Sequence, residues 1–311
     1  MAVALHFAQI ADVHVSDRGD AGMNLGAQAP RLLRDCCNQL NEMGDLDFVL
    51  LTGDLLDTSS KSELSAVLDS LAVLQKPWHF IAGNHDGFHD RRYPDALTPV
   101  EVVTAIDSRL ATLPPYVQNA VWSRPVAPGV QLIGLDSRIR ADWAGEIGPR
   151  QLGWLREQLH EHRNKTVMIA VHHPLYPLTP HNKRTWWEKF ICSNGREVGH
   201  LLDQYPNVKM VISGHHHANQ ILARNGRLHV TTAALGGYPC IFRTIRLTER
   251  SDGWHAALQV HRVADDATLE RARALMRTSH PSKDFVPGDP DAYLAFCDGE
   301  PSDRTFNGRI I

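Results

Sequence analysis

The sequence predicts a layered α/β fold whose sheets run parallel early in the chain and antiparallel late. Three observations carry that reading. Short apolar runs of strand length recur, most of them separated by stretches of helical periodicity. Each run is nearly continuous in apolar residues, the pattern of strands covered on both faces. Near the end the alternation gives way to a hairpin signal, Asn225-Gly226, whose residues tolerate the positive φ angles of a tight turn.

The elements follow in order. Strands are expected at Val3 to Ile10, Phe48 to Thr52, Trp78 to Ala82, Val130 to Leu135, Thr166 to Val171 and Val208 to Ser213. Arg31 to Met43 repeats Leu and Cys at helical spacing. Ser60-Lys61-Ser62-Glu63 is a capping box opening a helix to about Gln75, and Thr98-Pro99-Val100-Glu101 is a second such start. Pro149 to Arg163 and Arg196 to Tyr205 supply two more helices. Gln220 to Arg224 and Arg227 to Thr232 form the hairpin, followed by strands at Phe242 to Leu247 and Trp254 to Val260. We place a catalytic domain at 1–264. The extension at 265–311 is poor in apolar residues, so its anchors Phe285, Tyr293, Phe296 and Phe306 are expected to pack on the body or on a partner subunit, which leaves a homo-oligomer open.

Composition bounds the function. The 311 residues are 43% hydrophobic and 22% charged, which excludes disorder, and the formal charge of -3 gives no general field for nucleic acid or an anionic membrane. No run is long enough to span a membrane, and the N-terminus lacks a cationic start and a cleavage site. Five cysteines without zinc spacing suit a reducing compartment, so a cytoplasmic location is expected. The 18 histidines are what composition leaves unexplained.

Several of those histidines fall in five polar clusters, each placed just after an apolar run. The clusters are Asp12-Val13-His14, Gly53-Asp54-Leu55-Leu56-Asp57, Gly83-Asn84-His85-Asp86, His172-His173-Pro174 and Gly214-His215-His216-His217. Loops beyond the carboxyl ends of strands in an open α/β sheet share one crevice, so distant residues converge there. Imidazoles, carboxylates and an amide oxygen form a donor set suited to Mn, Fe, Co or Zn, with Mn or Fe favoured. The donors outnumber the needs of one ion, and two ions about 3.5 to 4 Å apart with a shared carboxylate are the arrangement used for displacement at phosphorus.

In the order D-x-H, G-D, G-N-H-D, H, G-H-x-H the chain resembles the calcineurin-like metallophosphoesterases from Ile10 to about Leu247. The stretches VHHPLYPL, NGREVGHLLDQYPNV and GHHH are most similar to class III cyclic nucleotide phosphodiesterases and glycerophosphodiesterases. The resemblance implies a four-layer α/β/β/α sandwich with two mixed β-sheets. It implies that Asp12, His14 and His217 hold one divalent ion, that Asn84, His172 and His215 hold a second, and that Asp54 bridges them. His85 is then the acid, and the reaction is phosphodiester hydrolysis by a metal-bridging hydroxide. Two divalent ions, two aspartates, a hydroxide and a diester sum to neutrality, whereas a monoester leaves excess negative charge, so a small phosphodiester is the expected substrate. Rivals are a phosphomonoesterase, a nuclease, which would normally show a larger basic surface, and a non-catalytic scaffold, which predicts missing ligands.

Around this cluster Asp57 is expected to hydrogen-bond His85 and keep it protonated. The alternative is a helix N-terminal Asp favoured by the dipole. His173 is read as a support and His216, the variable position of its triplet, as facing solvent or substrate. Arg18, His89, Arg91, Tyr176 and His181 lie on long loops expected to overhang the crevice and contact substrate. Asp136 is expected to be a structural turn residue.

Overall fold

A computed structural model describes residues 4–87, 93, 95–112, 120–139 and 142–310. Strands β1 (Ala4–Ile10), β2 (Phe48–Leu51) and β3 (Trp78–Phe80) run parallel in one sheet. A second sheet takes β4 (Trp122–Ala127), β5 (Val130–Gly134), β6 (Thr166–Ala170), β7 (Val208–Ser213), β8 (Gln220–Arg224) and β9 (Arg227–Thr231) in the order 4-5-6-7-9-8. The chain then returns to the first sheet with β10 (Ile241–Arg250), β11 (Gly253–Arg262) and β12 (Thr305–Arg309), giving the order 12-11-10-1-2-3. Both six-stranded sheets are mixed, because β10 joins β1 antiparallel and β8 joins β9 antiparallel.

The pleat explains the layering. Alternate residues of the second sheet face opposite ways. Leu132, Met168, Met210 and Leu228 join Phe7, Leu50 and Phe242 of the first sheet in one core. Ile133, Ile169 and Val211 point the other way, onto α4 (Pro149–Glu161) and α5 (Gly195–Asp203). On the far side of the first sheet lie α1 (Ala29–Glu42), whose Leu32, Leu33, Cys36, Cys37 and Leu40 are buried, and α2 (Lys61–Leu71). The result is the expected α/β/β/α order.

Local chemistry sets the helix starts. The Ser60 hydroxyl accepts from Glu63 N at 3.1 Å, and the Glu63 carboxylate accepts from Ser60 N at 3.2 Å, so the capping box closes as the sequence predicts. Thr98 and Glu101 repeat the device at α3 (Pro99–Ile106). In the hairpin Asn225 and Gly226 take φ of 50° and 74°, the turn that their sequence requires. All five cysteines are buried and free. Among the described residues no helix is long and apolar enough to cross a membrane.

The extension contains α6 (Asp266–Thr278), α7 (His280–Phe285), α8 (Pro290–Asp298) and α9 (Pro301–Arg304) before β12. It lies on the body of its own chain. Leu269, Ala272, Met276, Tyr293 and Cys297 belong to the same core as β1, and β12 pairs with β11 at the sheet edge.

Candidate metal centre

Each polar cluster follows the carboxyl end of a strand: Asp12 after β1, Asp54 after β2, Asn84 after β3, His172 after β6 and His215 after β7. Hydrogen bonds knit the loops together. Val13 N and His14 N both donate to Asp54 O, at 2.8 and 2.9 Å, and Asp12 N donates to Gly53 O. Val13 is buried in the core, so Asp12 and His14 are turned to the cluster. Asp12, His14, Asp54, His215 and His217 all have positive φ, between 49° and 65°. Left-handed backbone at non-glycine residues costs on the order of 1 to 3 kcal/mol each and persists only where its surroundings impose it.

Close approach explains the glycines that precede two of the predicted ligands. A Cβ on Gly53 would meet Gly83 N at 2.5 Å and His172 Nδ1 at 2.7 Å, so the loops after β2 and β3 and the His172 ring can touch only there. The clamp between those two loops is Asp86, a residue to which the sequence pattern assigns no role. Its fully buried carboxylate accepts from Asp54 N at 2.7 Å, Gly83 N at 2.9 Å, Leu55 N at 2.9 Å and Leu56 N at 3.2 Å. Arg138 donates in turn to the Asp86 carbonyl and is fixed by Asp136, 2.7 Å away, so Asp136 has the structural role expected of it. Asp86→Ala is expected to lower folding stability by about 3 kcal/mol or more, since it leaves several buried N–H groups without an acceptor. Urea unfolding measures this, and a loss under about 1 kcal/mol would show that the clamp contributes little.

Six of the predicted ligands gather in two groups, each with its atoms within 4.8 Å of one another: Asp12, His14 and His217, and Asp54, His172 and His215; His14 also forms a third such group with Asp57 and His85. Asp54 Oδ2 lies 3.6 Å from His14 Nε2 and 3.2 Å from His172 Nε2, between the groups. Asn84 Oδ1 is buried without a hydrogen-bond partner, and His172 Nε2 has only its 3.2 Å approach to the Asp54 carboxylate. Such atoms are costly unless something else engages them, so the donor set fits cations of the kind the sequence implies. His172 Nδ1 donates to Thr52 O at 2.7 Å, which turns Nε2 inward. His215 Nε2 is 3.1 Å from Lys189 O, leaving Nδ1 for the cluster.

The electrostatics agree. Burial alone would hold imidazoles neutral, yet the Asp54 and Asp12 carboxylates raise His172 to about 9, and Asp57 with Asp54 raises His14 to about 8. Burial raises Asp12 to about 7, while Asp54, where His172, His85 and His14 outweigh burial, falls well below the usual range. The cluster therefore favours added positive charge.

His85 N donates to Asp54 Oδ1 at 2.8 Å. Its ring Nδ1 lies 2.6 Å from the main-chain oxygen of Asp57 but 3.9 Å from the carboxylate, so Asp57 orients His85 through its carbonyl and not through the expected side-chain bond. The Asp57 carboxylate instead stands 3.7 Å from His14 Nδ1. Since α2 begins at Lys61 behind the Ser60 cap, Asp57 is not a helix-terminal charge either.

His173 is a support: Ser137 Oγ lies 2.7 Å from its Nδ1 and Trp143 O 3.1 Å from its Nε2, and burial lowers it to about 3. His216 corrects the expectation of a side chain facing solvent or substrate. It is fully buried under Phe190 and Phe296, because the extension covers that side of the loop. Tyr176 and His181 are likewise engaged elsewhere. Tyr176 is buried against His229, with Arg224 over its ring, and His181 stacks on Phe285 with its Nε2 2.7 Å from Phe285 O. Arg18 is exposed, 4.4 Å over the Tyr93 ring. His89 and Arg91 lie outside the described residues.

Comparison with known proteins agrees with this architecture. Residues 5–219 match the model of the calcineurin-like phosphoesterase family. The 3',5'-cyclic adenosine monophosphate phosphodiesterase CpdA of Haemophilus influenzae is 26% identical over 229 residues, 73% of this chain and 74% of that protein. The probable glycerophosphodiester phosphodiesterase GpdQ of Arcobacter nitrofigilis is 26% identical over 232 residues, 73% of this chain and 76% of that one. Among solved structures, a dimetal phosphatase from Danio rerio superimposes with a TM-score of 0.63 at 18% identity, covering 84% of this chain and 97% of that one. That likeness shows the shared fold.

Proposed function

The chain belongs to the calcineurin-like phosphoesterase family, and from that premise we propose that it is a cytoplasmic phosphodiesterase that hydrolyses small phosphodiesters, cyclic nucleotides or glycerophosphodiesters. In this reading Asp12, His14 and His217 hold one divalent ion and Asn84, His172 and His215 hold the other. The carrying observation is the position of Asp54 Oδ2 between the two donor groups, 3.6 Å from His14 and 3.2 Å from His172, where one carboxylate can serve both. The nitrogen and oxygen donor set, without thiolate, suits Mn, Fe, Co or Zn, of which this reading takes Mn or Fe.

When bound, divalent ions held by these residues would lower the pKa of a water towards neutrality and would offset the charge that gathers on phosphoryl oxygens. The protein's own groups do the rest. Asn84 contributes a neutral oxygen, which leaves the site more electrophilic than a further carboxylate would. His85 has Nδ1 committed to the Asp57 carbonyl, so Nε2 is the nitrogen that passes a proton to the leaving oxygen. The names of the relatives support a diester as substrate, and so does the charge of the site, where two divalent ions, Asp12, Asp54, one hydroxide and a diester would sum to neutrality.

A kcat/KM panel on the Mn-reconstituted protein tests the proposal, comparing a cyclic nucleotide, a glycerophosphodiester, an aryl diester and an aryl monoester. Diesters are expected to lead. A tenfold preference for the monoester, about 1.4 kcal/mol of transition-state stabilisation, would overturn the diesterase reading.

A further inference from the structure

The loop Gly214 to Asn219 carries His215 and His217, and the C-terminal extension holds it from three directions. Asn219, two residues past His217, donates from its backbone N to Cys297 O at 3.0 Å and from Nδ2 to Asp298 O at 3.2 Å. This backbone contact depends on Gly299, where a Cβ would stand 2.6 Å from Asn219 O. His216, between the two imidazoles, is packed edge-on against Phe296 with ring centroids 5.2 Å apart. The third route is indirect. His215 Nε2 is held by Lys189 O, and the turn carrying Lys189 is tied to the extension by Trp187 Nε1 donating to Asp284 and by His181 meeting Phe285 O. Asn182 Nδ2 closes the circuit, 2.9 Å from Trp187 O and 3.2 Å from His216 Nε2.

These contacts are the partners that fix a ligand's ring angle and tautomer without touching an ion. From them we propose that the extension is part of the metal centre, with Phe296 and Asp284 as positioning residues that hold His215 in the orientation needed by the ion it shares with Asp54, Asn84 and His172. The inference rests on the metallophosphoesterase reading above. Loss of such an outer partner weakens metal affinity about 10- to 100-fold.

The test uses the full chain and Co²⁺, comparing wild type, Phe296→Ala, Asp284→Asn and Leu294→Ala. Leu294 is on the same helix as Phe296 but is buried in the common core, so its substitution controls for general destabilisation. Titration calorimetry gives stoichiometry and affinity, visible absorption reports the Co²⁺ coordination, and Tm reports stability. Phe296→Ala and Asp284→Asn are expected to keep one tight ion, to bind the second at least about tenfold more weakly and to alter the spectrum, while Leu294→Ala lowers Tm but retains wild-type affinities. Wild-type affinities and spectrum in Phe296→Ala, or an equal loss in Leu294→Ala, would overturn the positioning role alone. A wild-type chain that takes up no Co²⁺ would overturn it together with the phosphoesterase reading.

Discussion

Asp54→Asn is expected to lower kcat/KM on an aryl phosphodiester by about a thousandfold, some 4 kcal/mol, and to leave the protein with fewer than two ions after dialysis. The substitution keeps the shape of the side chain and removes its charge. An amide presents one oxygen and one NH₂ where the carboxylate presents two oxygens. One of those oxygens stands between His14 and His172, and the other accepts from His85 N at 2.8 Å, so the change reaches both donor groups and the proposed acid at once. Steady-state kinetics paired with elemental analysis decide the matter. Activity within tenfold of wild type with two ions retained would show that Asp54 is not shared.

His85→Asn separates bond breaking from ion binding. We expect a loss of about 10²- to 10⁴-fold on an alkyl diester, whose leaving alkoxide needs a proton, and a much smaller loss on a 4-nitrophenyl diester, whose leaving group departs as a stable anion. Metal content should be unchanged, because His85 is not among the proposed ligands. Its Nδ1 bond to the Asp57 carbonyl fixes which nitrogen acts. Equal losses on the two substrates would remove the general-acid role.

Much of this was legible in the residues themselves, for identifiable reasons. Capping at Ser60 and Thr98 and the turn at Asn225-Gly226 are local chemistry, settled within four residues, and the structure reproduces them. The clusters lie at strand ends because a strand stops where its apolar run stops. What escaped depends on contacts distant in sequence. Asp86 looks like any acidic neighbour of a His until the loops after β2 and β3 fold against it, and nothing in Gly-Asn-His-Asp says which residue will accept backbone bonds. His216 reads as the exposed middle of a triplet because the helix that covers it lies some eighty positions later. Helices α7 to α9 are short and open on His-Pro, Asp-Pro and Glu-Pro, so their periodicity is too brief to register, and their stability comes from packing. Tyr176 and His181 share that difficulty: a polar aromatic on a long loop looks available until the hairpin and the extension close over it.

The two donor groups have one further property. Each is assembled across the sandwich: Asp12 and His14 follow a strand of the first sheet and His217 one of the second, while Asp54 follows a strand of the first and His172 and His215 follow strands of the second. Neither proposed ion would be held by the loops of one sheet alone. The fold supplies the effective concentration of one half-chelator for the other, and ion affinity becomes a gauge of how closely the two sheets keep their register. A repacking change at Met168 or Phe242, deep between the sheets, should therefore be felt first as weaker metal retention, before the protein itself comes apart.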